Sequence, residues 1–220
     1  MCGRFSLTVT EAELNERFLL AGGTERYEAR FNCAPTQELA VITRDGNYKL
    51  NYMRWGLVPS WAKDIKIGVK MINARAETIL EKASFRSAFA RRRCLVPATS
   101  FFEWKKGEAK TPYVIRLAGG GIFSMAGIWE EWKDPAGNNL KSFSIITTEA
   151  NNLMKPIHDR MPVILSESNE KLWLSDHPAT ELSKLLLPFP DERLELFQVS
   201  NLVNSPYNEV PEVLLPVDLK

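Results

Sequence analysis

The chain has 220 residues, 45% of them hydrophobic and 25% charged, with a formal net charge of +1. That apolar share suffices for a real core and excludes a disordered chain, while a charge so near zero excludes a polycation. Any nucleic-acid role therefore needs its Lys and Arg gathered on one face.

The elements follow in chain order. Thr10-Glu11-Ala12-Glu13 fits a capping box, with Val9 and Leu14 placed as a hydrophobic staple, so a helix is predicted over about 11–20. Leu39 to Thr43 and Tyr48 to Arg54 read as strands around the turn Asp45-Gly46-Asn47. Glu77 to Ala90 is predicted helical. Strands are predicted near 93–97, 99–105, 111–117, 121–131 and 141–147 from their Phe, Ile, Val and Trp content and their Gly and Pro breaks. Thr148 is placed to cap a short helix over 149–154, Ser166 precedes another, and Pro178 opens a third. A strand near 194–199 and an irregular tail close the chain. Strands outnumber helices and few βαβ units appear. The expectation is α+β, with a largely antiparallel core closed into a barrel and peripheral helices. No repeat or linker breaks the composition, so one domain over 1–220 is expected.

Cys2, Cys33 and Cys94 are widely spaced, with no CxxC pair and no neighbouring histidine. A disulfide framework and a zinc site are not expected, and reduced thiols of a cytoplasmic protein are. No stretch approaches about 18 apolar residues and no basic leader is visible, so neither a membrane span nor a signal peptide is read.

Several short segments carry chemistry. In Met1-Cys2-Gly3-Arg4, removal of Met1 would leave cysteine first, with an amine and a thiol on adjacent carbons. An α-amine has a pKa of about 7.7–8.0, so a useful fraction is neutral near pH 7. Such a residue condenses with an aldehyde to a thiazolidine, or attacks an acyl carbon. Arg30-Phe31-Asn32-Cys33-Ala34-Pro35 is a Pro-bounded turn. In Met71-Ile72-Asn73-Ala74-Arg75-Ala76-Glu77, an extended backbone projects Asn73, Arg75 and Glu77 to one face. Ser100-Phe101-Phe102-Glu103-Trp104-Lys105 sets an acid in an aromatic strand, where burial raises a carboxyl pKa. Pro156-Ile157-His158-Asp159-Arg160-Met161-Pro162 is stiffened by its prolines. Each has a plainer reading. Asn32 and Asn73 suit turns or caps, Arg75 and Glu77 suit a surface ion pair, and Glu103 shares the parity of Lys105 and so suits a solvent face. His158 alone suits a loop pairing with Asp159. His177, Cys33 and Cys94 read as structural, and Arg91-Arg92-Arg93 as a solvated helix end. In Trp55-Gly56-Leu57-Val58-Pro59-Ser60-Trp61, an aromatic is placed to stack on a base or wedge into a duplex.

Taken in order from Cys2 to about Pro162, these segments resemble the SRAP family, the SOS response-associated peptidases, whose members are abasic-site processing proteins. The segments are Met1-Cys2-Gly3-Arg4, Asn32-Cys33-Ala34-Pro35, Trp55-Gly56-Leu57-Val58-Pro59, Ile72-Asn73-Ala74-Arg75-Ala76-Glu77-Thr78, Phe102-Glu103-Trp104 and Ile157-His158-Asp159-Arg160-Met161-Pro162. The resemblance implies a monomer with a β-barrel-like core that uses no cofactor or metal. It implies binding to single-stranded DNA, or to single-strand/duplex junctions, at an abasic site, with nucleoid association when bound. Cys2 would capture the ring-opened sugar's aldehyde as a thiazolidine, with weak lyase activity and self-removal of Met1 as companions. By the same resemblance Glu103 moves protons at the amine and the sugar oxygen, His158 protonates the opening sugar, and Asn73 holds Cys2 or the sugar. Arg4, Arg75 and Arg160 would take phosphates, with Arg86 and Lys105 of the same kind, and Asn32, Pro35 and Trp61 would shape the turn or wedge beside the lesion. Class II glutamine amidotransferases also begin Met-Cys-Gly, but they use an Asn-Gly pair that this sequence lacks. A non-catalytic single-strand DNA-binding module leaves Glu103 and His158 without a role.

Overall fold

The computed structural model describes residues 2–107 and 110–217. Its strands are β1 Phe5–Leu7, β2 Arg30–Cys33, β3 Glu38–Asp45, β4 Asn47–Trp55, β5 Asn73–Arg75, β6 Arg93–Ala98, β7 Ser100–Lys105, β8 Thr111–Leu117, β9 Phe123–Lys133, β10 Asn139–Glu149, β11 Arg160–Pro162, β12 Ile164–Leu165 and β13 Leu194–Gln198. The helices α1 Glu11–Phe18, α2 Arg86–Arg91, α3 Glu167–Trp173 and α4 Ala179–Leu182 are short and peripheral. Among the described residues no helix is long and apolar enough to cross a membrane.

The architecture is α+β. Strands pair in the order β10-β4-β3-β6-β9, and β9 pairs back to β10, closing a five-stranded barrel. A second sheet runs β13-β8-β7-β1-β2. The ladders are antiparallel except where β10 meets β4 and β5, which lie parallel to it. Period-two alternation divides the core. Val41, Cys94 and Ile145 join Phe5 and Phe101 of the second sheet in one cluster. Their neighbours Ile42, Leu95 and Ile146 join Leu14, Phe89 and Trp173 of the helices in another.

Local chemistry explains most boundaries. Thr10 caps α1, its side chain accepting from the Glu13 N–H while the Glu13 carboxylate accepts from the Thr10 N–H, so the capping box is present. Gly46 (φ +69°) makes the tight β3–β4 turn. Two helix expectations fail. Over 77–90 only α2 is regular; a 3₁₀ turn at Ala76–Thr78 and successive turns precede it. Thr148 caps nothing, because it lies within β10 and its hydroxyl donates to Leu186 O. Arg93 is no solvated helix end. It is 9% exposed and donates to the carbonyls of Phe89, Ala90, Trp173 and Ser175.

One excursion matters for function. After β4 the chain leaves the barrel at Gly56 and returns at Asn73. Gly56 N donates to Phe143 O, Val58 N to Ser142 Oγ, and Trp55 Nε1 to Ile72 O. Gly56 has φ +123°, and a Cβ there would stand 2.6 Å from the Gly68 carbonyl oxygen. Both the backbone and the space demand glycine. Gly56→Ala is expected to cost about 1–3 kcal/mol, a fall of roughly 2–4 °C in melting temperature per kcal/mol for a chain of this size. Differential scanning calorimetry checks it, and an unchanged midpoint would show that the loop relaxes freely.

Candidate active site

The first residues run beside β7. Phe5 pairs with Phe101 and Ser6 with Ser100, and the Phe102 N–H donates to Arg4 O, so the antiparallel register carries the chain start toward Glu103. Cys2 is fully buried. Its carbonyl accepts from Asn73 Nδ2 at 2.8 Å, a contact spanning 71 residues. Asn73 stands on β5, which pairs with Ile145–Thr147 of β10. The other carboxamide atom, Asn73 Oδ1, is buried without a hydrogen-bond partner among the described residues. Burial pushes the Cys2 thiol far above the ordinary range, and the nearby Glu103 carboxylate pushes it further. The thiol is therefore protonated in this fold.

Glu103 is 3% exposed, which removes the solvent-face reading. The strand end frees Lys105 to solvent despite its shared parity. Burial raises the Glu103 carboxyl above the usual range, and His158 opposes that rise. Glu103 and His158 line one cavity of about 410 Å³ with Trp104, Lys106, Lys110 and Asn204. His158 Nδ1 has two neighbours at 2.9 Å, the Arg160 backbone N–H and Asp159 Oδ1. It cannot serve both as an acceptor for the first and a donor to the second. The Asp159 carboxylate is 87% exposed and has water, whereas Arg160 is buried. With the Arg160 N–H donating to Nδ1, the imidazole proton of that tautomer sits on Nε2.

Other candidates divide by availability. Arg160 is buried; it forms a two-pronged pair with Glu77 (2.7 and 3.0 Å) and donates to Thr147 O. That pair holds Glu77 below the usual carboxylate range. Arg160 thus has both terminal nitrogens engaged inside the fold, and Glu77 pairs with it rather than with Arg75. Asn32, expected beside the lesion, has no exposed surface. It accepts from Arg4 Nη1 at 2.7 Å and donates to the carbonyls of Ser205 and Asn208. Arg4 Nη1 also donates to Val203 O, and the guanidinium lies 5.7 Å from the Trp104 ring. One arm of Arg4 therefore braces the tail instead of facing outward. Pro35 is half-buried in its turn, and Arg75, Arg86, Lys105 and Trp61 are exposed. Trp104, Lys106, Lys110 and Asn204 line the cavity unforeseen. Trp104 had a signal in its position beside Glu103, and Asn204 had none. Its Oδ1 accepts from Trp104 Nε1 at 2.7 Å across 100 residues.

Comparison with known proteins places this geometry. The family described as SOS response associated peptidase (SRAP) matches residues 1–206. The abasic site processing protein YoqW of Bacillus subtilis is 48% identical over 223 residues, covering 97% of this chain and 99% of that one. The abasic site processing protein HMCES of Gallus gallus is 37% identical over 195 residues, covering 76% of this chain and 57% of its own. A crystal structure of a Bacteroides thetaiotaomicron protein superposes with a TM-score of 0.90 at 30% identity, covering 98% of this chain and all of that one.

The buried carboxyl has a consequence for stability. Its folded pKa is raised above the unfolded value of about 4.3. Between those two values the folded state binds the proton more tightly, so this group's contribution to stability falls as pH rises through the window. Glu103→Gln removes the charge and keeps the shape. Its melting temperature is expected to exceed that of the parent above the window and to converge with it toward pH 4. Thermal melts across pH 4–8 check this, and a variant less stable at every pH would show that Glu103 is structural.

Proposed function

Because the chain belongs to the SRAP family, we propose that it processes abasic sites in DNA by trapping the ring-opened sugar on Cys2. The observation that carries this reading is the Asn73–Cys2 hydrogen bond, which holds an amino-thiol residue by its carbonyl, one residue before the position that the β1–β7 register sets opposite the buried Glu103. Met1, whose removal the reading requires, lies outside the described residues. Once freed, the neutral Cys2 amine adds to the aldehyde carbon. Loss of water from the carbinolamine gives an imine. The thiol sulfur then adds to the imine carbon while its proton passes to nitrogen, closing a thiazolidine; the net change is aldehyde plus aminothiol to ring plus water. A protonated thiol suits this order, because sulfur acts only after the imine has formed.

Glu103, held protonated more readily than an ordinary carboxyl, gives and takes the protons at nitrogen and at the departing hydroxyl. His158, with its proton on Nε2, donates to the sugar ring oxygen as it opens. Asn73 fixes the Cys2 carbonyl, and its free Oδ1 suits an N–H of the new α-amine. An imine at this sugar also permits β-elimination, so weak lyase activity accompanies capture. Self-removal of Met1 is the peptidase activity suited to the same groups. The partner is single-stranded DNA, or a junction, since the base-less sugar must reach Cys2 and Glu103, both of which are buried. The protein acts as a single-domain monomer without a cofactor.

Trimmed protein incubated with single-stranded DNA bearing one abasic site is expected to give an adduct stable on denaturing gels and heavier by the DNA minus one water in intact mass. Cys2→Ala is expected to give none without a reductant, and retained Met1 is expected to block the reaction. Trimmed protein that forms no adduct would overturn the proposal.

The Glu77–Arg160 pair yields a second expectation. It ties the segment bearing Asn73 to the segment bearing His158. Glu77→Gln is expected to slow adduct formation by roughly tenfold, the equivalent of about 1.4 kcal/mol, with binding to a non-reactive abasic analogue nearly unchanged. A matched loss in both measurements would instead mark the pair as part of the binding surface.

A further inference from the structure

We infer that Lys106 and Lys110 form a phosphate clamp for the DNA strand on one side of the lesion, an inference that rests on the reading above. The two lysines stand at the ends of the connection between β7 and β8, the first just past the strand that carries Glu103. Both line the cavity that Glu103 and His158 line. Both are exposed, and among the described residues neither takes part in an ion pair.

The need for such a clamp follows from the arginines. Arg160 has both terminal nitrogens on Glu77 and Thr147, and Arg4 has Nη1 on Asn32 and Val203. A phosphate at Arg160 would have to displace these partners, and Arg4 has one terminal nitrogen already engaged inside the fold. Among the described residues the lysines meet no such competitor. Each presents a point charge on a flexible stem, which suits a backbone whose phosphates shift as the sugar opens. Position then gives the clamp a side. The lysines lie on the connection between two strands of the second sheet, whereas exposed Arg75 belongs to β5 beside the barrel. Cys2, Asn73 and Glu103 lie where the two sheets meet. A strand crossing that junction has its phosphates on the lysines on one flank and on Arg75 on the other.

The test uses full-length protein and oligonucleotides bearing a tetrahydrofuran abasic analogue, which has no aldehyde and reports binding alone. Each lysine contact on single-stranded DNA contributes about 0.7 to the slope of log affinity against log salt. Lys106→Gln with Lys110→Gln is expected to lower the slope by about 1.4, while Lys171→Gln, on α3 and outside the cavity lining, leaves it unchanged. Oligonucleotides ending at the lesion on the 5′ or the 3′ side then locate the clamp. The double variant is expected to match the parent on one truncated oligonucleotide and to remain weak on the other. An unchanged slope, or an equal defect on both, would overturn the clamp. Adduct formation by the parent on aldehyde-bearing DNA is measured alongside. Its absence would remove the reading underneath, whereas adduct formation with an unchanged slope removes the clamp alone.

Discussion

Strand β10 is the constraint on which the site depends. It pairs with β9 and β4 to close the barrel, and beyond β4 it takes β5 and β11 as neighbours. The β5 segment brings Asn73, and the β11 segment begins at Arg160, two residues after His158. Thr147 faces both, pairing with Arg75 on one side and Pro162 on the other, while its carbonyl accepts from the Arg160 guanidinium. Two residues far apart in sequence are therefore positioned by one ladder. A rigid strand holds a site more precisely than loops do, and the Glu77–Arg160 pair adds a second fastening above the same strand end.

The electrostatics of the site run against stability. A carboxyl at 3% exposure and a thiol with none lie close enough that each ionisation disfavours the other. A fold selected for stability alone would place apolar side chains at such positions. In the reaction we propose, the same cost has a use. A carboxyl raised above its usual range gives a proton to a departing hydroxyl more readily, and an un-ionised thiol does not compete with the amine for the aldehyde. A perturbed carboxyl that lines a cavity beside a buried thiol is a mark of function for this reason.

Legibility in the sequence follows the range of the forces involved. The capping box at Thr10, the Gly46 turn and the aromatic strands from Arg93 onward are local, and they stand where local chemistry predicts. The segment 149–154 departs from its propensity because tertiary pairing overrides it: Thr148 belongs to a ladder that its own neighbours do not specify. At the site, Cys2, Asn73, Glu103 and His158 were legible as reactive types in unusual settings. The commitment of Asn32, Arg4 and Arg160 was not. An arginine's sequence neighbours give no account of partners 83 or 199 residues distant. Lys106 and Lys110 are ordinary surface residues until the fold sets them beside Glu103.

The tail gives Asn32 a different meaning. Glu209 accepts from the backbone N–H groups of Phe31 and Asn32 and pairs with Arg30, while Asn32 donates to the carbonyls of Ser205 and Asn208. Arg4, two residues from Cys2, joins this network through Asn32 Oδ1 and Val203 O. A chain terminus is ordinarily the least ordered part of a fold. Here the first residues are held on one side by β7 and on the other by a segment from the far end of the chain. Asn204 of that segment also forms one wall of the cavity and holds Trp104. In the proposed reaction Cys2 acts after Met1 has gone, so no preceding residue positions it and this arrangement must. The Asn32 network does from behind what an upstream strand would do for an internal nucleophile.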